Sequence, residues 1–210
     1  MIRILIADDH PIVRKGIIDI LISELNDVVC GEASDAAQAL ALVQNNNWDL
    51  AVLDITMPGR SGLDVLRELK HLKPDLPVLM LSMHLEDQYG KRVLRAGASG
   101  YMNKQSAPDE LVKAVQKILA GRHYVSPSLA EKLVVDLHEK KERPLHEALS
   151  HREFDVLRML ALGKTVSQIA QEVHLSVTTV STYRARILDK MNMTTTAELM
   201  HYALRHNLVD

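Results

Sequence analysis

The sequence has little of what marks several classes of protein. It contains one cysteine, Cys30, so no disulfide can close within a chain, and the apolar residues around it favour a buried packing role. No apolar run approaches the ~18 residues that a bilayer-spanning helix needs, and the first residues lack the pattern of a signal peptide. We therefore expect a cytoplasmic protein without a membrane-spanning segment.

Aromatic residues and net charge are also scarce. Only 3% of the residues are aromatic, so leucine, isoleucine, valine, alanine and the nine methionines must fill the interior, which favours helix-rich or α/β packing. A formal net charge of -2 gives no global sign of nucleic-acid binding, so any basic surface must be local. The 210 residues, 47% of them hydrophobic and 25% charged, suit one large globular domain or two small ones.

Short β-branched segments alternate with amphipathic ones from the first residue to about Gly121. This alternation predicts an α/β fold with a doubly wound, five-stranded parallel sheet over residues 1–121. The predicted strands cover 3–7, 28–32, 50–54, 78–82 and 100–104, and the predicted helices cover 11–24, 36–45, 61–71, 88–96 and 108–120. Sites in such folds lie at the carboxyl ends of the strands.

The pattern changes after this segment. Residues 122–145 predict a linker with a short helix over 126–137, followed by a charged run that ends at Pro144. Residues 146–210 predict a small all-α domain, in which Ser150 and Glu153 form one capping box and Thr165 and Gln168 another. A third helix capped by Ser176 and a last helix over about 196–206 complete this domain.

Three carboxylates follow two of the predicted strands, Asp8 and Asp9 after the first and Asp54 at the end of the third. Carboxylates this close repel one another unless they share a cation, and Mg²⁺ prefers one or two carboxylates together with water and phosphate oxygens. Ser82 and Lys104, at the ends of the next two strands, add a hydroxyl and a positive charge. Together these groups predict a phosphate-accepting site with a carboxylate nucleophile, a metal ion and a neutralising lysine.

The motifs IADDHP at 6–11, LDITMPG at 53–59, LS at 81–82 and GYMNK at 100–104 resemble the receiver domain of two-component response regulators, which has a flavodoxin-like fold. The resemblance implies that Asp54 accepts a phosphoryl group from a histidine kinase or phosphotransfer protein, and that the only catalysis is phosphorylation and dephosphorylation of the chain itself. It implies that Mg²⁺ is bound by Asp9, Asp54 and the Thr56 backbone carbonyl, with Asp8 acting through water. Ser82 and Lys104 would contact the phosphoryl oxygens, and Ser82 and Tyr101 would form the switch.

Two positions near the predicted pocket depart from or add to this pattern. Gln105 follows the lysine where receivers often have proline. His84 lies two residues after Ser82, and we predict that it tunes the rate of dephosphorylation, with a plain surface role equally open.

Ile12, Val13 and Ile17 are candidates for a kinase-docking surface, although core packing would account for most of them.

In the second domain, two short capped helices joined by a tight turn predict a helix-turn-helix, whose second helix enters the DNA major groove. If Val180, Ile187 and Met191 face inward, small polar residues face outward between basic ones. The predicted DNA-binding residues are Thr178, Thr179, Ser181, Thr182, Arg184, Ala185, Arg186 and Lys190. Arginines would hold phosphates while the small residues approach base edges.

This domain resembles the LuxR-type output domain in the following residues: LSHRE at 149–153, VL at 156–157, GK at 163–164, IA at 169–170, LS at 175–176, TV at 179–180, Ile187 and KM at 190–191. A receiver followed by such a domain resembles the NarL/FixJ class of response regulator. This class implies transcription regulation by a homodimer on two double-stranded DNA half-sites, with RNA polymerase as a further partner. Ser181 and Tyr183 stand where relatives commonly carry Lys and His, so Arg184 and Arg186 become the predicted main contacts.

Two other readings stay open at this stage. A metal-dependent phosphatase or phosphotransferase would use the same three carboxylates, although Thr56 stands where a second acid would be expected. The helical domain would alternatively serve dimerisation or protein docking, because basic and acidic residues are equal in number from His146 onward. A regulator whose output is protein binding would show weak intrinsic affinity for DNA.

Overall fold

The strands of the computed structural model are β1 (Ile2–Ala7), β2 (Val28–Ala33), β3 (Leu50–Asp54), β4 (Val78–Ser82) and β5 (Gly100–Asn103). They form one all-parallel sheet in the order β2-β1-β3-β4-β5, as predicted. The order places β1 beside β3, although β2 lies between them in the chain. Lys104, predicted as the last residue of the fifth strand, lies in the turn after it.

Both faces of the sheet are buried, because successive side chains of a strand point to opposite faces. Ile4, Ile6, Leu50 and Val52 belong to the core on one face, and the intervening Leu5, Ala51 and Leu53 are buried on the other. The helices of this unit are α1 (Pro11–Glu24), α2 (Ala36–Asn45), α3 (Gly62–Leu72), α4 (Glu86–Arg95) and α5 (Pro108–Leu119). This alternation is the predicted doubly wound α/β architecture.

The structure describes residues 1–57, 60–83, 86–106, 108–138 and 144–209. The chain divides into two compact units, Met1–Glu139 and Lys140–Asp210. Predicted features at His84 and in the charged run at 139–143 lie outside the described residues. The proposed linker boundaries at 122 and 145 stay a prediction; the helix expected inside the linker is α6 (Pro127–His138), which belongs to the first unit.

The segment after α5 is attached to the open edge of β5. The Tyr101 amide donates to the Tyr124 carbonyl at 3.2 Å, and the Tyr124 amide donates to the Ser99 carbonyl at 2.9 Å. Gly100 is required between them, because a Cβ at this position would lie 2.7 Å from the Tyr124 carbonyl oxygen. From this edge the chain continues into α6, which contacts α4.

The second unit consists of a short 3₁₀ helix (Leu145–Ala148) and helices α7 (His151–Ala161), α8 (Val166–Glu172), α9 (Val177–Lys190) and α10 (Thr196–Arg205). Both predicted capping boxes are present, at Ser150 with Glu153 and at Thr165 with Gln168. A third capping box begins α10 at Thr195. The core of the unit is formed by buried residues of all four α-helices: Phe154, Leu157, Leu160, Ile169, Val180, Ile187, Met191, Leu199 and Ala203.

Glu153 joins the start of α7 to the end of α9. Its buried carboxylate accepts the Ser150 amide at 2.7 Å and lies 2.6 Å from the Lys190 ammonium. Burial raises the pKa of Glu153, but the hydrogen bonds from Lys190 and Ser150 outweigh it and hold that pKa below the ordinary value of 4.5. The carboxylate therefore stabilises the fold in its ionised form.

We expect Glu153→Gln to lower the free energy of unfolding of the second unit by about 1–3 kcal/mol at pH 7, because it removes the charge that holds Lys190. Because the pKa of Glu153 is lower in the folded protein than its ordinary value of 4.5, the ionised carboxylate stabilises the fold above about pH 4.5. This contribution is lost as the pH falls through the pKa of Glu153 in the folded protein. Urea unfolding at pH 7 and at pH 3 measures both effects. A loss of equal size at the two pH values would contradict the assignment. Glu172→Gln is the control, because among the described residues Glu172 forms only a solvent-exposed ion pair, with Lys164.

Candidate functional site

The strand order brings the predicted acidic residues to one end of the sheet. Ala7 pairs with Leu53 across β1 and β3, so the residues that follow, Asp8 and Asp54, emerge side by side. Asp54 pairs in turn with Leu81 on β4. Ser82 pairs with Asn103 on β5, and the Lys104 amide donates to the Ser82 carbonyl at 2.8 Å. Four strands thus deliver these groups to one carboxyl-terminal rim.

Lys104 lies between two of the carboxylates. Its ammonium nitrogen is 2.7 Å from Oδ2 of Asp8 and 2.7 Å from Oδ2 of Asp54. All three side chains are nearly inaccessible to solvent, with the lysine 6% exposed and each carboxylate 2%. One cation therefore offsets two buried negative charges, which leaves the site with a net negative charge even before Asp9 is counted.

Asp54 binds protons more readily than an exposed aspartate does. Its pKa is raised from 3.8 to about 6, chiefly by burial and also by the neighbouring Asp8, against the opposing effects of Lys104 and of the Thr56 amide. The Thr56 amide donates to Oδ1 of Asp54 at 3.2 Å. Near neutral pH Asp54 is ionised, but at a cost in free energy that a bound cation would reduce.

We expect Asp54→Asn to raise the free energy of unfolding of the metal-free receiver unit by up to about 3 kcal/mol at pH 7. A raised carboxyl pKa means that the wild-type protein loses this stability as the pH rises from about 4 through about 6, while the asparagine variant does not. The substitution also leaves Lys104 paired with Asp8. Thermal unfolding across that range is the measurement, with exposed Asp19→Asn as control; equal stabilities at every pH would contradict the expectation.

The acidic cluster fits a divalent cation. Among the described residues, Asp8, Asp9, His10 and Asp54 offer ligand atoms that lie within 4.8 Å of one another. Buried oxygens of Asp8, Asp9 and Asp54 accept no hydrogen bond of good geometry from the described residues, although Lys104 and His10 lie close by as ion-pair partners. Mg²⁺ prefers oxygen ligands, and buried carboxylate oxygens without a full set of hydrogen bonds are available to bind it. Receiver domains bind Mg²⁺ at such an acidic pocket.

Two residues that the sequence analysis left without a role fix the loop after β1. The His10 amide donates to Oδ1 of Asp8 at 2.9 Å, and its ring nitrogen Nδ1 lies 2.8 Å from Asp9. Arg14 donates to the backbone carbonyl of Asp8 at 2.7 Å and to Glu32 at 2.9 Å. The only sequence signal for either was its place within six residues of the acidic pair.

The other predicted receiver residues are placed as follows. Ser82 and Tyr101 are both buried, with 0% and 1% of their surfaces exposed. Of the candidate kinase-docking residues, Ile17 belongs to the core and Val13 packs against it, whereas Ile12 is 88% exposed. The structure therefore leaves Ile12 as the strongest candidate among the three.

The predicted DNA-binding residues of α9 differ in their exposure and in their contacts with other parts of the unit. Thr178, Ser181, Thr182, Ala185 and Arg186 are exposed. Thr179 and Arg184 are half-buried; the Thr179 amide donates to the Ser176 cap, and Arg184 Nε donates to Thr196 at 2.8 Å. Lys190 is exposed but pairs with Glu153. Arg186 is thus the predicted basic contact with the greatest freedom to reach a phosphate.

Comparisons with known proteins agree with both units. The response regulator receiver domain family matches residues 4–116, and the luxR family of bacterial regulatory proteins matches residues 147–203. The response regulator UvrY of Escherichia coli K12 is 36% identical over 210 residues, which cover 99% of this chain and 96% of that protein.

Solved structures extend the likeness to RcsB. RcsB from Salmonella enterica serovar Typhimurium, bound to promoter P1flhDC in the presence of phosphomimetic BeF3-, is 27% identical with a TM-score of 0.60 over 96% of this chain and 97% of that one. A structure of two RcsB dimers bound to two parallel DNAs is 27% identical with a TM-score of 0.59, over 100% and 99% of the two chains.

No helix among the described residues has both the length and the hydrophobicity needed to cross a bilayer. Neither of the two matching families is a family of classical enzymes. The receiver fold with its acidic pocket, the LuxR-type helix-turn-helix and the near full-length relatives together place the chain among the two-component response regulators of the NarL/FixJ family, which regulate transcription through a DNA-binding domain.

Proposed function

We propose that Mg²⁺-dependent phosphoryl transfer from a histidine kinase or phosphotransfer protein to Asp54 controls dimerisation and DNA binding by this chain. The observation that supports this most directly is Lys104, whose ammonium lies 2.7 Å from the buried Oδ2 atoms of both Asp8 and Asp54. Such a regulator would act in the cytoplasm, where it meets both its kinase and DNA.

In the proposed reaction a carboxylate oxygen of Asp54 forms a bond to phosphorus as the bond from phosphorus to the donor nitrogen breaks. Bound Mg²⁺, held by Asp9, Asp54 and the Thr56 carbonyl with Asp8 acting through water, would neutralise charge on the phosphoryl oxygens. Lys104 would exchange its contact with Asp54 for one with a phosphoryl oxygen, and the hydroxyl of Ser82 would donate to another. The chain would thereby catalyse only its own phosphorylation and dephosphorylation.

Ser82 and Tyr101 would carry the signal away from the pocket. Both are buried, and the Tyr101 amide is bonded directly to the Tyr124 carbonyl at the start of the linker. A movement of Tyr101 would therefore displace the segment that leads into α6, which lies against α4. This path would couple phosphorylation to the linker without requiring a large change in the sheet.

Phosphorylation would favour a homodimer that binds two DNA half-sites, as the structures of RcsB dimers on DNA support. Helix α9 would enter the major groove, with Thr178, Ser181, Thr182 and Ala185 facing base edges. Arg184, Arg186 and Lys190 would lie near the phosphates, and Thr179 would fix the amino end of the helix. RNA polymerase is a further proposed partner at the promoter.

We expect Arg186→Ala to reduce the salt dependence of DNA binding. Each phosphate contact contributes about -0.9 to the slope of log affinity against log salt concentration, so the slope should become shallower by about one unit. Fluorescence anisotropy of a labelled promoter duplex at several salt concentrations measures it. Arg122→Ala removes an equal charge from an exposed position in the first unit and should leave the slope unchanged. An unchanged slope in Arg186→Ala would remove this phosphate contact from the account.

The phosphorylation step is tested by incubating the full chain with acetyl phosphate and Mg²⁺ and measuring its intact mass. We expect one phosphoryl group per chain, none in Asp54→Asn and none when EDTA replaces Mg²⁺. Continued turnover of small phosphoesters, without accumulation of the phosphorylated chain, would instead favour a metal-dependent phosphatase.

A further inference from the structure

The first three turns of α9 present a surface of small side chains, three of which carry hydroxyl groups. Val177, Thr178, Ser181, Thr182 and Ala185 recur at a spacing of about four residues, which places them on one face of the helix. All five are exposed, and Val177 keeps half of its surface exposed although it is aliphatic. From Val177 to Ala185 this face contains no Lys, Asn or Gln. Two arginines border it: Arg186 follows Thr182 at the same spacing, and Arg184 lies two turns after Val177.

The hydroxyl of Thr182 is turned toward the helix backbone. It donates to the Thr178 carbonyl, one turn earlier, at 3.0 Å. A β-branched side chain held in this way has its hydroxyl hydrogen committed and offers its γ-methyl group to an outside partner. The exposed face of α9 therefore presents three apolar groups: the isopropyl group of Val177, the methyl of Thr182 and the methyl of Ala185.

These groups determine which base features α9 can distinguish. Guanine and adenine are read by bidentate hydrogen bonds from Arg, Lys, Asn or Gln, whereas the thymine methyl group is read by apolar contact. The remaining hydroxyls, on Thr178 and Ser181, can pair with several bases and discriminate weakly. Asp189 lies on the same side but near the far end of α9, while the amino-terminal residues of a recognition helix contact the bases.

We propose that this chain recognises its DNA half-sites chiefly through thymine C5-methyl groups, which contact Val177, Thr182 and Ala185. This inference rests on the proposed docking of α9 in the major groove. The exposed Arg186, and Arg184 anchored to Thr196, would supply affinity through phosphates without discriminating between sequences. Affinity and specificity would thus come from different residues of the same helix.

The test uses a duplex selected from a random pool by the beryllofluoride-treated full chain, made once with thymine and once with deoxyuridine at single positions of each half-site. Uracil keeps the hydrogen-bonding groups of thymine and lacks only the methyl group. We expect about fourfold weaker binding for each contacted methyl group removed, from the free energy of burying one such group.

Thr182→Ser removes the protein methyl group and keeps the hydroxyl. At one thymine position the serine variant should bind thymine and uracil equally, while its affinity for the uracil duplex matches that of the wild type. Thr194→Ser, at an exposed threonine before α10, is the control and should keep the preference for thymine. Val177→Ala should reduce the preference at a different position.

The outcomes separate the inference from the proposed function. Specific binding that is equal on thymine and uracil duplexes would overturn the thymine-methyl inference and leave DNA binding intact. A preference for thymine that survives in Thr182→Ser, Val177→Ala and Ala185→Gly would overturn the assignment to these residues. Absence of specific binding to any selected duplex would contradict both the inference and the proposed docking of α9.

Discussion

Replacement of Lys104 by methionine is expected to destabilise the metal-free receiver unit by about 3–5 kcal/mol at pH 7, the usual cost of removing one partner from a buried ion pair. Asp8 and Asp54 would be left buried and facing each other without the cation that lies 2.7 Å from each. Phosphorylation of Asp54 should be lost as well, because the ammonium group that lies 2.7 Å from it would no longer be there to neutralise the phosphoryl group. Urea unfolding and intact-mass analysis measure the two effects.

The pH and metal dependence of this variant make the test specific. The loss of stability should shrink as the pH falls, because the pKa of Asp54 is already raised to about 6 in the wild type and rises further without Lys104, so the carboxyl becomes neutral. The loss should also shrink when Mg²⁺ is added. Lys113→Met, at an exposed position on α5, is the control and should unfold like the wild type. Equal stability of Lys104→Met and wild type in metal-free buffer at pH 7 would contradict the role assigned to Lys104.

The second large effect is expected at Gly62, the first residue of α3. A Cβ at this position would lie 1.8 Å from the carbonyl oxygen of Asp54, a distance at which the backbone must move. The Gly62 amide also donates to the Ile55 carbonyl at 2.8 Å, so the helix start cannot withdraw without losing this bond. We expect Gly62→Ala to lower the free energy of unfolding by about 3 kcal/mol and to abolish phosphorylation, because the displaced residue is the proposed phosphoacceptor.

Gly16 provides a matched control for that substitution. It lies within α1, and a Cβ there would meet no atom within 4 Å. Alanine at this position should stabilise the helix by about 0.5–1 kcal/mol and leave phosphorylation unchanged. Similar behaviour of Gly62→Ala and Gly16→Ala in urea unfolding and in phosphorylation would contradict the expectation that the close contact between α3 and Asp54 requires glycine at position 62.

The receiver pocket could be predicted because its members follow from strand order. Asp8, Asp54, Ser82 and Lys104 each end or follow a strand, and parallel strands deliver such residues to one rim. The contacts of Arg14 with the Asp8 carbonyl and with Glu32 could not be predicted, since they depend on how α1 leaves the sheet. The metal-ligand roles, with Asp9 and the Thr56 carbonyl among them, stay predictions.

In the second unit, local sequence patterns were sufficient to predict the helices. They were insufficient to predict the roles of the charged residues on those helices. Capping boxes involve residues three apart, so those at Ser150 and Thr165 could be read from the sequence. Lys190 was predicted as a DNA contact from its place on α9, but its ammonium pairs with Glu153, 37 residues earlier. Helical periodicity carries no information about a partner on another helix.

The same limit applies to the 3₁₀ helix at Leu145–Ala148, which the sequence analysis did not predict. Its residue His146 contacts the Tyr202 hydroxyl, 56 residues later, through both its amide and its ring nitrogen Nδ1. No capping residue or hydrophobic periodicity marks this turn in the sequence. A tertiary contact holds it in place instead, and such a contact cannot be read from local sequence. The start of the second domain is therefore set by α10 as much as by its own sequence.

Selection from a random DNA pool with the full chain treated with beryllofluoride, in parallel with Asp54→Ala, tests the central claim most directly. We expect an inverted repeat to be enriched by the activated wild-type protein and not by Asp54→Ala, since phosphorylation is proposed to act through this residue. Equal enrichment by both proteins would contradict control through Asp54. Absence of enrichment by either would contradict sequence-specific DNA binding and favour an output through a protein partner.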